Sequence, residues 1–181
     1  MRRKVQTKRE RIRATAALKA NAEWRTDKEE WMSPAQYERD FYTWANEQAA
    51  LIRAGKFDQA DIENIAEELE TLGRSEAREL KSRYRVLLLH LLKWRYQPNL
   101  QSSSWKATIR REREVEIPEH LGENPGLKPR QQELFEAAYR SARIDAVGET
   151  GLPEATFPKD CPFTLDEAMR GDFWPTEDGI A

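Results

Sequence analysis

His90 is the residue whose surroundings most suggest chemistry. It stands at the centre of VLLLHLLKW, residues 86–94, the most apolar run of the chain. The helix predicted before it has a densely acidic face, and an antiparallel hairpin of helices over 61–72 and 76–96 would bring the two together. An imidazole beside a carboxylate is a general acid–base pair, and further carboxylates would make a divalent-metal site. The candidate catalytic residues are His90, Glu67 and Glu68, and the candidate metal ligands are His90, Glu63 and Glu67.

The same imidazole also fits an ordinary helical core. Di-metal sites in helical bundles tend to use Glu-x-x-His on two helices, and the sequence contains neither that motif nor His-x-x-x-His. The alternative is a packed imidazole that donates to a backbone carbonyl or to one carboxylate, which satisfies a buried polar group. No cofactor is predicted under this interpretation, and a divalent metal is expected only if the glutamates reach His90.

A second candidate site mixes cations with aromatic rings over residues 91–114, LLKWRYQPNLQSSSWKATIRRERE. Rings that stack on bases, next to side chains that bind phosphate, are typical of proteins that bind single-stranded nucleic acid. Glu112 and Glu114 interrupt the positive charge, however, and Arg and Glu three or four residues apart also form ordinary surface pairs. The candidate nucleic-acid-binding residues are Lys93, Arg95, Trp105, Lys106, Arg110 and Arg111.

The single cysteine, Cys161, precedes a predicted helix start at Thr164, a position that can lower the pKa of a thiol. A nucleophilic thiol normally needs a histidine nearby, and only His90 and His120 could serve. We assign Cys161 no catalytic role, because a single cysteine is more often a small buried side chain. One cysteine also excludes an intrachain disulfide, so the chain does not depend on an oxidising compartment.

The composition is charge-rich and favours helices. Charged residues make up 34% of the 181 positions and hydrophobic residues 39%, with only eight glycines. The sequence has no Gly-x-x-x-x-Gly-Lys-Ser/Thr, Gly-x-Gly-x-x-Gly or Cys-x-x-Cys motif, which argues against a P-loop enzyme, a Rossmann dehydrogenase and a zinc finger. We predict a cytoplasmic protein without a membrane partner, because no signal peptide follows Met1 and no apolar run approaches about 20 residues.

The charge is unevenly distributed along the chain. Residues 1–28 hold ten Lys/Arg and three Asp/Glu, a formal charge of +7, whereas the rest of the chain carries −9. We therefore predict a basic extension over 1–32, flexible or helical, before a helical domain over 33–181. The extension has three interpretations: an arm that binds nucleic acid, a solvated tail, or a segment upstream of a true start at Met32.

Helix-start and helix-stop residues divide the domain into an all-α single bundle of four to five main helices with a C-terminal clip. The predicted helix ends are Gly55, Gly73, Pro118 and Gly148.

The second predicted helix has an apolar stripe opposite its acidic face. The residues of the stripe are Ile62, Ile65, Ala66, Leu69 and Leu72. Phe157, Phe163, Phe173 and Trp174 are predicted to hold the clip on the bundle. The main helices are expected over roughly 34–54, 58–72, 75–97, 102–116 and 129–147, with a short one from Thr164.

From Tyr37 to Pro175 the chain resembles the bacterial "domain of unknown function 29" family. The resemblance rests on YERDFYTWANEQAALIRAGKFDQADIENIAEELETLGRSE, LLLHLLKWRYQP, SSSWKATIRRERE, ENPGLKP, ETGLP, FPKDCPFTL and DFWP, in that order. It implies an all-helical bacterial cytoplasmic protein and transfers no activity, cofactor or site residue. Residues 1–32 fall outside it.

Taken together, these patterns favour a non-catalytic interaction module that binds a protein or, through its basic arm, a nucleic acid. The alternative is a metal-binding or acid–base enzyme that uses His90 with Glu63, Glu67 and Glu68.

Overall fold

The protein is all-α over nearly all of the residues that the structure, a computed structural model, describes: 34–176 and 179–180. The predicted extension over 1–32 lies outside them. The only described strands, Pro175–Thr176 and Gly179–Ile180, form a short antiparallel pair with Pro175 opposite Ile180. The α-helices are α1 Pro34–Arg39, α2 Phe41–Arg53, α3 Ile62–Tyr96, α4 Ser103–Arg111, α5 Ile117–Glu123, α6 Gln131–Thr150 and α7 Leu165–Met169.

Helix α3 corrects the predicted break at Gly73, because it continues through that glycine for 35 residues. A glycine inside a helix costs only about 1 kcal/mol relative to alanine, and no proline follows it to enforce a stop. The expected hairpin of helices 61–72 and 76–96 therefore does not form. Glu68, the nearest of the candidate carboxylates to His90 in sequence, precedes it within α3 and is not on a neighbouring antiparallel helix.

A π-helix, Glu112–Glu116, joins α4 to α5 and corrects the predicted stop at Pro118. Proline has no N–H to donate, and Pro118 directly follows this π-helical turn, in which the Ile117 N–H donates to the Glu112 carbonyl five residues back. The prediction of a helix over 129–147 is also corrected: α6 passes through Gly148 and ends at Thr150, and the following Gly151, with a φ of 69°, closes the helix.

Contacts divide the chain into two compact units, Met1–Glu70 (the first unit) and Thr71–Ala181 (the second unit). In the described part of the first unit, the Tyr37 hydroxyl donates to the Glu68 carboxylate. Further along, the Asp61 N–H donates to Gln48 Oε1 at 2.8 Å. The Gln48–Asp61 pair lies close to the turn at Gly55, and the Tyr37–Glu68 pair lies farther from it on both sides. The chain before Gly55 therefore runs antiparallel to the chain after it.

The second unit is built around the second half of α3, where Leu88 and its neighbours are completely buried. This confirms the predicted role of VLLLHLLKW as part of a central buried helix. Among the described residues, no helix is long and apolar enough to cross a membrane. The largest side chains of this core, each under 2% exposed, are Tyr84, Phe135, Phe157, Phe173, Leu80, Leu87, Leu88, Leu91, Leu92, Ile109 and Ile117.

The C-terminal clip is held by one buried guanidinium. Arg113 is 4% exposed; its Nε donates to the Ala168 carbonyl at 2.5 Å and its Nη1 to the Phe173 carbonyl at 2.9 Å. The predicted aromatic anchors are confirmed, since Phe173 is buried and Trp174 packs on Trp94 with ring centroids 4.7 Å apart.

Candidate functional site: an interaction surface

His90 is half-buried in the second unit and donates from Nδ1 to the Val86 carbonyl, 2.9 Å away. Burial lowers the pKa of His90, and the nearby Lys93 and Arg111 lower it further, whereas the Val86 bond and Glu149 raise it. The imidazole is therefore neutral at pH 7. Its hydrogen bond stays within its own helix, which is the contact expected of a packed imidazole.

We expect His90→Leu to change the free energy of unfolding by less than about 1.5 kcal/mol, because leucine is apolar and of similar size and the Val86 carbonyl can keep its helical N–H partner. The lowered pKa means that the unfolded chain binds a proton more readily, so the wild type should lose stability as the pH falls below 6.5. Urea unfolding from pH 5 to 8 should show a flatter profile for the variant. A loss of about 3 kcal/mol or more would instead indicate a buried charged partner left unpaired.

The carboxylate near His90 is Glu149 of α6, which the sequence interpretation missed. Glu149 Oε2 lies 2.6 Å from the Nζ of Lys93. Lys93 follows His90 by about one helical turn on α3. Lys93 is only 9% exposed, and its ammonium also lies 4.5 Å above the Trp105 ring. A lysine in an apolar helix signals a paired charge, but nothing in the sequence says which of the acidic residues supplies the carboxylate.

The other candidate nucleic-acid residues differ in their surroundings. Arg110 forms two hydrogen bonds, of 2.9 and 3.0 Å, with Glu114. Arg95 is half-buried between aromatic rings, and the ammonium of the exposed Lys106 lies 5.5 Å from the Trp174 ring centroid. Arg111 is exposed. Lys93 and Arg95 are thus packed within the second unit, whereas Lys106, Arg110 and Arg111 are exposed.

The candidate metal ligands are not gathered into one site. In the described part of the chain, no three His, Cys, Asp or Glu side chains are placed to hold a metal ion together. Glu63 and Glu67 belong to the first unit and His90 to the second.

Cys161 lines a pocket of about 750 Å³ between α6 and the segment before α7. Burial raises the pKa of its thiol to about 11, so the thiol is protonated at pH 7. The polar lining includes Arg140, Lys159 and Asp160, and neither His90 nor His120 lines the pocket. The thiol therefore has no histidine beside it in this pocket to act as its base.

Glu112 is a buried carboxyl of the π-helix, 2% exposed. Its Oε1 lies 3.9 Å from Arg83 Nη1. Burial raises the pKa of Glu112, and the attraction of Arg83 offsets only part of that effect.

Glu112→Gln is expected to become more stable than the wild type as the pH rises from 4 to 7. A folded-state pKa raised above the unfolded value means that the carboxyl binds its proton more tightly when folded, so stability is lost as the pH passes the folded pKa. Glutamine is neutral at every pH, so the variant loses no stability through this position as the pH rises. Urea unfolding of both proteins at four pH values measures the difference. A wild type that gains stability relative to the variant as the pH rises would show that the attraction of Arg83 outweighs burial.

The strongest candidate surface lies on the first unit, where large apolar side chains remain exposed. Ile62 is 53% exposed and Leu69 63%, and with the exposed Ala66 they lie on one face of α3 at spacings of four and three. These are members of the apolar stripe that the sequence analysis placed in the second helix. In residues 34–70, only Tyr37 and Trp44 are buried large apolar residues.

Carboxylates border this stripe on both sides. At 100° per residue, Glu63 and Glu70 lie along one side of Ile62 and Leu69, and Glu68 lies along the other. Glu63 and Glu70 are exposed. Residues 34–70 hold nine Asp/Glu against three Lys/Arg. We call this face of α3, from Ile62 to Glu70, the acidic–apolar surface.

Fold and surface together describe an all-α protein with an exposed face that is apolar at its centre and acidic at its borders. The chain belongs to the family described as Domain of unknown function DUF29, whose family model matches residues 36–174. This confirms the resemblance found in the sequence. No curated protein and no solved structure matches the chain.

Proposed function

We propose that this protein is a non-catalytic protein-interaction module whose acidic–apolar surface binds a basic amphipathic helix. The observation that carries the proposal is the exposure of Ile62 and Leu69 between borders of carboxylates. Large apolar side chains grouped on an exposed face commonly mark a binding surface.

The chemistry of the surface selects the partner. An apolar stripe on a helix suits another helix, whose apolar side chains recur every three or four residues. The bordering carboxylates suit Lys and Arg, whose long stems cover apolar area while their charges reach the acids. Glu63 and Glu70 would therefore select a basic helix over an acidic one.

Two other functions have less support. The acid–base or metal alternative needs Glu63, Glu67 or Glu68 near His90, whereas the observed hydrogen bond of the imidazole goes to the Val86 carbonyl of its own helix. Nucleic-acid binding needs a positive surface, whereas residues 34–70 are strongly acidic and Lys93 and Arg110 are paired with carboxylates.

Leu69→Gln is expected to weaken binding of a fluorescein-labelled peptide with Leu on one face and Lys on the other by tenfold or more. Burying one leucine contributes about 1.5–3 kcal/mol, and about 1.4 kcal/mol is tenfold in affinity. Fluorescence anisotropy on the full chain measures the change, and affinity should fall with added salt. Leu100→Gln, at a residue 59% exposed in the second unit, is the matched control. Equal affinity for wild type and both variants contradicts the proposal.

A further inference from the structure

We propose that the pocket between α6 and residues 159–164 (the α6 pocket) binds a zwitterion with a large apolar side chain, such as a free aromatic α-amino acid. The pocket belongs to the second unit, so the inference is independent of the acidic–apolar surface. Its volume of about 750 Å³ lies within the range of roughly 300–1,000 Å³ that is usual for small-molecule sites.

Both ends of the segment 159–164, which lines one side of the α6 pocket, are held in place. Before it, the Tyr139 hydroxyl of α6 donates to the Pro158 carbonyl at 2.7 Å. At its end, Thr164 and Glu167 form the capping box of α7. The segment therefore needs little rearrangement when a ligand enters, which lowers the entropic cost of binding.

The buried part of the lining is aromatic. Phe135, Tyr139 and Phe163 line the pocket, and each is at most 4% exposed. Cys161 lies in the same lining, and burial raises the pKa of its thiol to about 11, so the sulfur adds no charge at pH 7. Aromatic rings offer large apolar contact areas to another ring. This lining therefore favours a ligand with an apolar, preferably aromatic, side chain.

Two exposed cations, Arg140 and Lys159, also line the pocket. Among the described residues, the structure shows no ion pair for either of them. A guanidinium binds a carboxylate through two parallel hydrogen bonds, and a lysine ammonium adds a point charge beside it. These two side chains therefore suit the carboxylate of a ligand.

Three carboxylates of the lining differ in their partners. Glu133 is paired with Arg130 at 3.0 Å. Glu136 accepts a hydrogen bond of 2.7 Å from the neutral amide of Gln132, which leaves its charge uncompensated, and Asp160 has no ion pair with any described residue. Uncompensated carboxylates repel a simple anion but attract an ammonium group. The lining as a whole therefore matches a ligand that carries both charges.

Isothermal titration calorimetry of the full chain tests this match with three probes that share an indole ring. L-tryptophan carries both charges, indole-3-propionate lacks the ammonium, and tryptamine lacks the carboxylate. We expect L-tryptophan to bind about tenfold more tightly than either of the others, because each of them leaves charged side chains of the pocket unpaired. Equal affinity for L-tryptophan and one of the other probes, or no saturable binding of L-tryptophan, would overturn the inference.

Arg140→Gln tests the partner of the carboxylate. The variant should bind L-tryptophan about tenfold more weakly than the wild type and should bind tryptamine at least as tightly, because tryptamine has no carboxylate to lose. Arg78→Gln is the matched control, at an exposed residue of α3 that does not line the pocket, and it should leave all three affinities unchanged. An equal loss of affinity for L-tryptophan and tryptamine in Arg140→Gln would contradict the assigned role.

Cys161, the only cysteine of the chain, reports where the amino acid binds. Its reaction with the neutral disulfide 4,4′-dithiodipyridine is followed by the absorbance of the released thiopyridone. We expect saturating L-tryptophan to slow this reaction several-fold in the full chain. Glycine, which has both charges but no apolar side chain, should leave the rate unchanged at the same concentration. A rate unaffected by bound L-tryptophan, or slowed equally by glycine, would overturn the inference.

Discussion

Arg113→Ala is expected to lower the free energy of unfolding by about 3 kcal/mol or more, because it removes two hydrogen bonds from a charged donor in a buried site. The guanidinium donates to the carbonyls of Ala168 and Phe173, which belong to the C-terminal clip. Burial lowers the pKa of Arg113 to about 10, so the group remains charged at pH 7. Alanine would leave both carbonyls without their donor and a cavity beside the Phe173 ring.

Urea unfolding monitored by tryptophan fluorescence measures this loss, since the clip carries Trp174. Arg110→Ala is the matched control. Its side chain is exposed and pairs with Glu114 one turn away, so its removal should cost about 0.5 kcal/mol or less. Equal effects of the two substitutions would mean that the clip does not depend on Arg113.

Leu88→Ala is expected to cost about 2–5 kcal/mol, the range for a leucine removed from a close-packed core. Leu88 is 0% exposed at the centre of the second unit. Leu100→Ala, at a side chain 59% exposed, should cost under about 1 kcal/mol. Thermal or urea unfolding of the two variants compares them directly. Similar losses of unfolding free energy in the two variants would contradict the placement of the second half of α3 at the centre of this unit.

Local sequence patterns predicted much of the helical architecture. The capping box at Thr164 and Glu167 is formed, and Ser102 caps α4 by accepting from the Trp105 N–H. These signals succeed because donor and acceptor lie within a few residues of each other. The buried leucines of α3 followed from a helix that is apolar on most sides.

The positions of the helix ends were harder to predict. Gly55 and Gly151 adopt positive φ and lie at helix ends, whereas Gly73 and Gly148 lie inside helices. The residue type is the same at all four positions. A glycine within a helix costs only about 1 kcal/mol, which is too little to decide by itself whether the helix ends there, so the local pattern does not separate the two outcomes.

The candidate site was predicted only in part, for the same reason. The stripe of Ile62 and Leu69 and its bordering acids were visible from helical periodicity, but periodicity does not say whether a stripe is covered. The pairing of Lys93 with Glu149 joins residues 56 positions apart. Such long-range partners are fixed by tertiary packing. The sequence therefore identified the charged side chains but did not show which of them pair with each other.

Methyl NMR of the isotope-labelled full chain, titrated with the basic amphipathic peptide, tests the interaction surface most directly. It reports which side chains the partner touches without altering any of them. We expect the Ile62 and Leu69 signals to shift with peptide concentration and to return as salt is added. Shifts confined to other exposed methyls, such as those of Leu100 and Ile144, would contradict the assignment of this surface.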